Sequence, residues 1–129
     1  MSEKTRPVAE RFMKALQAFE ADGNAGPLVA LFHDDAECAN LVHAERGQGG
    51  VRKFWDDYRQ AFETVRSTFS ATLFADGGAA LEWKSEGALP GGTPVAYRGV
   101  SVLDIEGDRV KRFRTYYDSA AFVAPAGKT

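Results

Sequence analysis

A single cysteine, Cys38, is all the chain contains, which excludes an intramolecular disulfide framework. Long apolar runs are missing as well: none approaches the ~18 residues that a membrane-spanning helix needs. Neither sign of charge dominates. Lys and Arg number 16 against 18 Asp and Glu, for a net charge of -2, a balance that argues against the basic face favoured by nucleic acid. There are only two histidines, and neither falls in a metal-ligand spacing. His33, with Asp34, Asp35 and Glu37, reads as a helix end turning into a strand, and His43 as a surface residue. Gly47, Gly49 and Gly50 lack the lysine of a phosphate loop. Ser2 to Pro7 is polar, with no apolar stretch behind it. These absences leave a soluble, cytoplasmic protein with one domain over 1–129. They predict no metal, no cofactor, no nucleic-acid partner and no membrane partner.

What is present reads as helices first and strands afterwards. Pro7 suits the first turn of a helix. Val8, Phe12, Ala15, Leu16 and Phe19 then recur at helical spacing, with charges opposite. Pro27 opens a second, short helix carrying Leu28, Leu31 and Phe32. Ala36 to His43 alternates as a strand, with Cys38, Asn40 and Val42 on one face. A glycine-bearing loop over 44–50 follows. The third helix presents Val51, Phe54, Trp55, Tyr58 and Phe62, a face too aromatic to stay in water.

The second half predicts an antiparallel meander. Phe69, Ala71 and Leu73 alternate with Ser70 and Thr72, and Asp76-Gly77-Gly78 is a hairpin signal. In the strand from Ala79 to Gly87, Leu81 and Trp83 oppose Glu82, Lys84 and Glu86. Val95 to Ile105 is a long strand with Tyr97 near its start and Gly99 as a candidate bulge. After the Gly107-Asp108 turn, strict alternation puts Val110, Arg112, Arg114, Tyr116 and Asp118 on one face and Lys111, Phe113, Thr115 and Tyr117 on the other. The tail from Ala124 is small and polar and is expected to fray. Helices packed on one face of a curved sheet give an α+β cone: a cone-shaped, curved mixed β-sheet whose three N-terminal-half helices close a central pocket.

This order, with Leu31-Phe32-His33-Asp34-Asp35-Ala36 before the first strand and Tyr116-Tyr117-Asp118 closing the last, resembles the SnoaL-like branch of the nuclear-transport-factor-2-like superfamily. That branch includes polyketide cyclases and limonene epoxide hydrolases; ketosteroid isomerases are more distant. The resemblance covers Val8 to Phe122, the expected ordered core. It implies a cofactor-independent hydrolase, cyclase or isomerase acting on a hydrophobic small molecule, or a non-catalytic binding or dimerisation module of the same fold.

By the same resemblance, Asp118 corresponds to the hydrolase aspartate that activates water, with Arg114 or Tyr116 polarising the group that gains charge. Asn40 falls where the hydrolase holds water with an asparagine and where the isomerase has its general-base aspartate. An amide cannot take up a proton at neutral pH, so isomerase-type proton shuttling is not supported there. Phe12 replaces the isomerase's oxyanion-binding tyrosine, and Cys38 replaces the hydrolase's water-holding tyrosine. Glu82 and Lys84 stand where the hydrolase has an arginine and its general-acid aspartate, so the acid is lost.

The resemblance turns Glu82 and Lys84 into the cone, whereas plain alternation buries Leu81 and Trp83 and leaves the charges in water. Trp55 and Tyr58 are expected to line the pocket and Phe62 to belong to the core; Phe12, Leu16 and Phe32 fit either role, and Tyr97 joins the expected lining. The resemblance also implies a homodimer through the outer sheet face, driven by exposed Trp83, Leu81 or Phe113.

Overall fold

The computed structural model describes residues 2–122, with side chains from residue 4 onward; the tail expected to fray lies outside these residues. Helix α1 (Ser2–Asp22) and the single turn α2 (Gly26–Val29) lead into β1 (Phe32–Ala39) and the short β2 (Ala44–Arg46). Helix α3 (Gly47–Gln60) is followed by β3 (Thr64–Ala75), β4 (Gly78–Ala88), β5 (Pro94–Glu106) and β6 (Arg109–Tyr117), and a 3₁₀ turn over Ser119–Phe122 ends the described chain. The six strands form one sheet in the order β2-β1-β6-β5-β4-β3. Only β1 and β6 run parallel; the other neighbours are antiparallel. The sheet is therefore mixed, curved and open-edged, as expected, and three helices accompany it.

Several element bounds differ from the sequence reading. Helix α1 begins before Pro7, which lies inside it. Phe32 and the His33-Asp34-Asp35 run belong to β1 rather than to a helix end. There the acids meet bases on β6 across the parallel pairing: Asp34 with Arg109 at 3.7 Å, Asp35 with Lys111 at 2.7 Å and Glu37 with Arg112 at 3.4 Å. The Lys111 ammonium holds the Asp35 carboxyl below its ordinary range. The region read as a loop over 44–50 contains β2 and the start of α3.

Two bulges decide which side chains face inward. In β3, the pairing slips by one residue between Phe69 and Ala71. Phe69 and Phe74 consequently both pack on the core, while Leu73, expected beside Phe69, is 73 % exposed. In β6, Val110 pairs with Ile105 but Arg112 with Asp104, leaving Lys111 as the extra residue. Val110 and Phe113 are thus both buried, and Phe113, Thr115 and Tyr117 share the concave face. Strand β4 has no bulge: Leu81 and Trp83 are buried inside the chain, and Glu82 and Lys84 are exposed. With Phe113 also inside, the apolar residues expected to drive a sheet-to-sheet dimer are not on the outer face.

Helix α1 lies against β3, β4 and β5, and α3 lies across β1 and β2. Their buried residues form the main core, in which Phe12, Phe19, Leu28, Phe32, Leu81 and Leu103 are fully enclosed. A second cluster, Phe62, Val65, Trp83, Val95 and Tyr97, fills the other end of the sheet. Gly99 is not a bulge; it pairs regularly with Trp83.

Candidate functional site

Between the two clusters lies a cavity of about 480 Å³, a volume suited to a small organic molecule. The main core contributes Leu16, Phe54, Trp55 and Phe113 to its wall; the second cluster contributes Phe62, Trp83 and Tyr97. Tyr58 of α3, Tyr117 at the end of β6 and Phe122 of the last turn complete the aromatic surface. The rings brace one another: Trp55 and Phe113 lie 4.9 Å apart, Tyr97 and Phe122 4.7 Å, and Phe62 stacks on Tyr97 at 6.2 Å with 7° between planes.

Across the concave sheet face runs a strip of hydroxyls: Ser67 on β3, Ser85 on β4, Ser101 on β5 and Thr115 on β6. Each sits at an inward position of its strand. Trp83 Nε1 donates to Ser101 Oγ at 2.9 Å, and Ser101 and Thr115 share a hydrogen bond of 2.9 Å. Ser67 and Ser85 share one of 2.6 Å. Behind Ser67 lies Glu20, which is 2 % exposed. Its Oε1 accepts the Ser67 backbone N–H at 2.8 Å, and its Oε2 accepts Ser67 Oγ–H at 2.6 Å and Tyr58 Oη–H at 2.5 Å. A buried carboxylate is tolerated only with such a full set of donors. Burial, followed by the nearby Glu20 charge, pushes the Tyr58 hydroxyl pKa far up. Burial does the same to Tyr97, partly offset by the adjacent Ser85 hydroxyl.

Polar groups gather at the mouth. Asn40 follows β1 in a tight turn, where its Oδ1 accepts the backbone N–H groups of Val42 and His43, each at 2.9 Å. The side-chain oxygen is committed to that turn, which leaves Asn40 its amide protons to offer to the cavity. His43, Glu45 and Asp57 line the cavity too. Lys53 holds both carboxylates, Asp57 at 2.7 Å and Glu45 at 3.5 Å.

Of the residues singled out in the sequence, Asn40, Leu16, Trp55, Tyr58 and Tyr97 line this cavity. Phe12, Phe32 and Cys38 do not; they are enclosed in the core. Burial raises the Cys38 thiol pKa, with the Glu37 charge adding to it and the Trp55 indole opposing it slightly.

Asp118, Arg114, Tyr116, Glu82 and Lys84 lie away from the cavity, which corrects the expectation of an aspartate base at its floor. The strand face that carries Arg114, Tyr116 and Asp118 is the convex one. Asp118 is exposed, and its Oδ1 accepts the Ala120 backbone N–H at 3.1 Å, capping the last turn. It lines a more open outer groove with Glu82, Lys84, Arg98 and Tyr116. Arg114 instead pairs with Asp104 at 3.2 Å.

Glu20 and the hydroxyl strip escaped the sequence reading. One signal was available: Glu20 lies four residues after Leu16 and eight after Phe12, on the buried stripe of α1, where a carboxylate needs a reason. Among the described residues, no three or more His, Cys, Asp or Glu side chains come together to hold a metal ion. No described helix is long and apolar enough to cross a membrane.

The chain belongs to the SnoaL-like domain family, whose model matches residues 9–113. No curated protein matches the sequence. Among solved structures, it is similar to an NTF2-like protein from Anabaena variabilis (18% identity, TM-score 0.86, 94% of each chain covered). It is also similar to a protein of ketosteroid isomerase-like fold from Catenulispora acidiphila, solved in complex with trimethylamine (20% identity, TM-score 0.79, covering 92% of this chain and 93% of that one). A third similar structure is TerC co-crystallised with polyporic acid (17% identity, TM-score 0.77, covering 90% and 95%). At these identities the likeness establishes the fold, a family scaffold that includes isomerases and cyclases.

Proposed function

We propose that this protein takes up a small, flat, largely apolar molecule in the cavity between α3 and the concave sheet face. The observation that carries this reading is the cavity's composition: about 480 Å³, walled by aromatic rings and crossed by one strip of hydroxyls. Rings offer a flat ligand stacking and edge contacts, and the strip fixes its orientation. That similar structures hold polyporic acid and trimethylamine supports a ligand-accepting use of the scaffold.

Binding is favoured over catalysis by the state of the acids. The cavity-lining carboxylates, Glu45 and Asp57, are held by Lys53, and Glu20 is occupied by its three donors. The competing reading is a cofactor-independent hydrolase, cyclase or isomerase. Its one supporting observation is His43, which lines the mouth beside Asn40 and whose ring nitrogens can both donate and accept.

Titration with a bicyclic aromatic such as 2-naphthol tests the binding reading. Saturable binding is expected, weakened about tenfold or more when Trp55→Ala removes a wall. Asp118→Asn, outside the cavity, should leave affinity within about twofold. A native protein that binds no such probe, or a loss of binding in Asp118→Asn as large as in Trp55→Ala, would sink it.

A further inference from the structure

Counting protons along the hydroxyls gives the cavity floor a direction. As a carboxylate, Glu20 only accepts. The single hydroxyl proton of Ser67 is spent on Glu20 Oε2 at 2.6 Å. In the 2.6 Å contact between Ser67 and Ser85, Ser67 must therefore accept and Ser85 donate. Tyr58 likewise spends its proton on Glu20. The order of donation is fixed from the buried acid outward: Ser85 to Ser67 to Glu20, and Tyr58 to Glu20. Both outer groups line the cavity with their protons pointing away from it, so each shows a ligand only oxygen lone pairs.

The second hydroxyl pair behaves differently. Ser101 already accepts from Trp83 Nε1, and it shares one proton with Thr115. Whichever of the two donates to the other, the second proton of the pair is left for a ligand. The two ends of the strip thus differ in polarity: at the Glu20 end Ser85 and Tyr58 only accept, and the neighbouring Tyr97 hydroxyl has Ser85 as the acceptor for its own proton.

We infer that Glu20, acting through Ser67, Ser85 and Tyr58, makes the cavity floor select a ligand that places a hydroxyl donor there, such as a phenol or enol on a flat apolar frame. This rests on the pocket reading above and sharpens it. Glu20 touches no ligand; it is a positioning residue that sets which way the hydroxyls point. The arrangement also explains a buried carboxylate on the apolar stripe of α1: a hydrophobic residue there would leave Ser67, Ser85 and Tyr58 free to turn their protons toward the cavity.

The test compares 2-naphthol with its methyl ether, which has the same ring system but no donor proton. Binding is followed by probe fluorescence anisotropy excited beyond the tryptophan band. Native protein should prefer the naphthol about tenfold, the worth of one well-placed hydrogen bond against an acceptor left unpaired. In Glu20→Gln the amide NH₂ donates to Ser67 and Tyr58, so Ser67 turns its proton to Ser85, and the protons of Ser85 and Tyr58 swing toward the cavity. The preference should then vanish or invert while the methyl ether keeps its affinity.

A native preference below about twofold overturns the inference and leaves the pocket reading intact, as does an undiminished preference in Glu20→Gln. If neither probe binds native protein, the pocket reading itself fails and this inference with it. Should Glu20→Gln not fold by circular dichroism, the double variant Ser85→Ala with Tyr58→Phe decides. It removes both outer accepting oxygens, so the preference should drop to within about twofold, and a preference kept at its native value overturns the assignment.

Discussion

At Gly99, one hydrogen in place of a side chain sets the shape of the cavity. Gly99 pairs directly with Trp83 across the β4–β5 ladder, and the indole lies over it. A methyl group there would meet Trp83 Cζ2 at 2.5 Å and Cη2 at 2.8 Å, and would collide with the Tyr116 carbonyl oxygen. The carbonyl belongs to the neighbouring strand, so the β5–β6 ladder must give locally and the indole must move as well. Trp83 would then lose its 2.9 Å bond to Ser101 and its edge contact with Tyr97 at 5.3 Å. Gly99→Ala is expected to destabilise the protein by about 2–3 kcal/mol, as overpacking of a filled core does, and to shift tryptophan emission. Urea unfolding followed by fluorescence measures both. A variant within about 0.5 kcal/mol of native would show that the indole has somewhere else to lie.

At the scale of the strand, the bulges separate what was legible in the sequence from what was not. Strands β4 and β5 are regular, and their alternation alone placed Leu81 and Trp83 inside and Glu82 and Lys84 outside. The resemblance pointed the other way for that pair, and the observed burial along β4 follows the alternation instead. Strand β6 misled for a different reason. Val110 and Phe113 are both apolar and three residues apart, an odd spacing that a strict two-residue period cannot bury on one face. The resemblance turned Arg114, Tyr116 and Asp118 inward, and strict alternation put Val110 on the same face as them. The extra residue, Lys111, carries no glycine or proline to announce a bulge.

Glu20 was lost to the opposite habit, since a glutamate in a helix is read as solvated until its spacing is checked against the apolar stripe. The bulge is testable apart from its side chain. Lys111→Ala removes the contact to Asp35 but keeps the residue count, and the fold should survive. Deleting Lys111 turns Val110, now fully enclosed, to the wrong face. The lost burial alone costs about 1.5–3 kcal/mol. Denaturant midpoints of the two variants give the comparison, and equal midpoints would mean that the strand slips into a new register without penalty.

For the molecule as a whole, three buried acids tie stability to alkaline pH. Cys38, Tyr58 and Tyr97 all have their pKa values raised, in each case first by burial. A raised value in the folded state means that folded protein keeps a proton that the unfolded chain releases. Their contribution is therefore complete below the unfolded values, about 8.5 for cysteine and 10 for tyrosine, and is lost as pH climbs above them. Stability should hold level near neutrality with respect to these groups, begin to fall above about pH 8.5, and fall more steeply above about pH 10. There each group costs about 1.4 kcal/mol per pH unit.

The two tyrosines border the cavity, whereas Cys38 does not, which allows their effects to be separated. Cys38→Ala should remove the shallow decline between about pH 8.5 and 10 and leave the steep one above it. Thermal melts from pH 7 to 11 on both proteins measure this. If the native midpoint stayed flat to pH 11, the tyrosine hydroxyls would have to ionise as freely folded as unfolded. The cavity floor would then be open to water rather than sealed behind the aromatic wall, and the ordered chain of hydroxyls leading to Glu20 would have nothing to keep it in place.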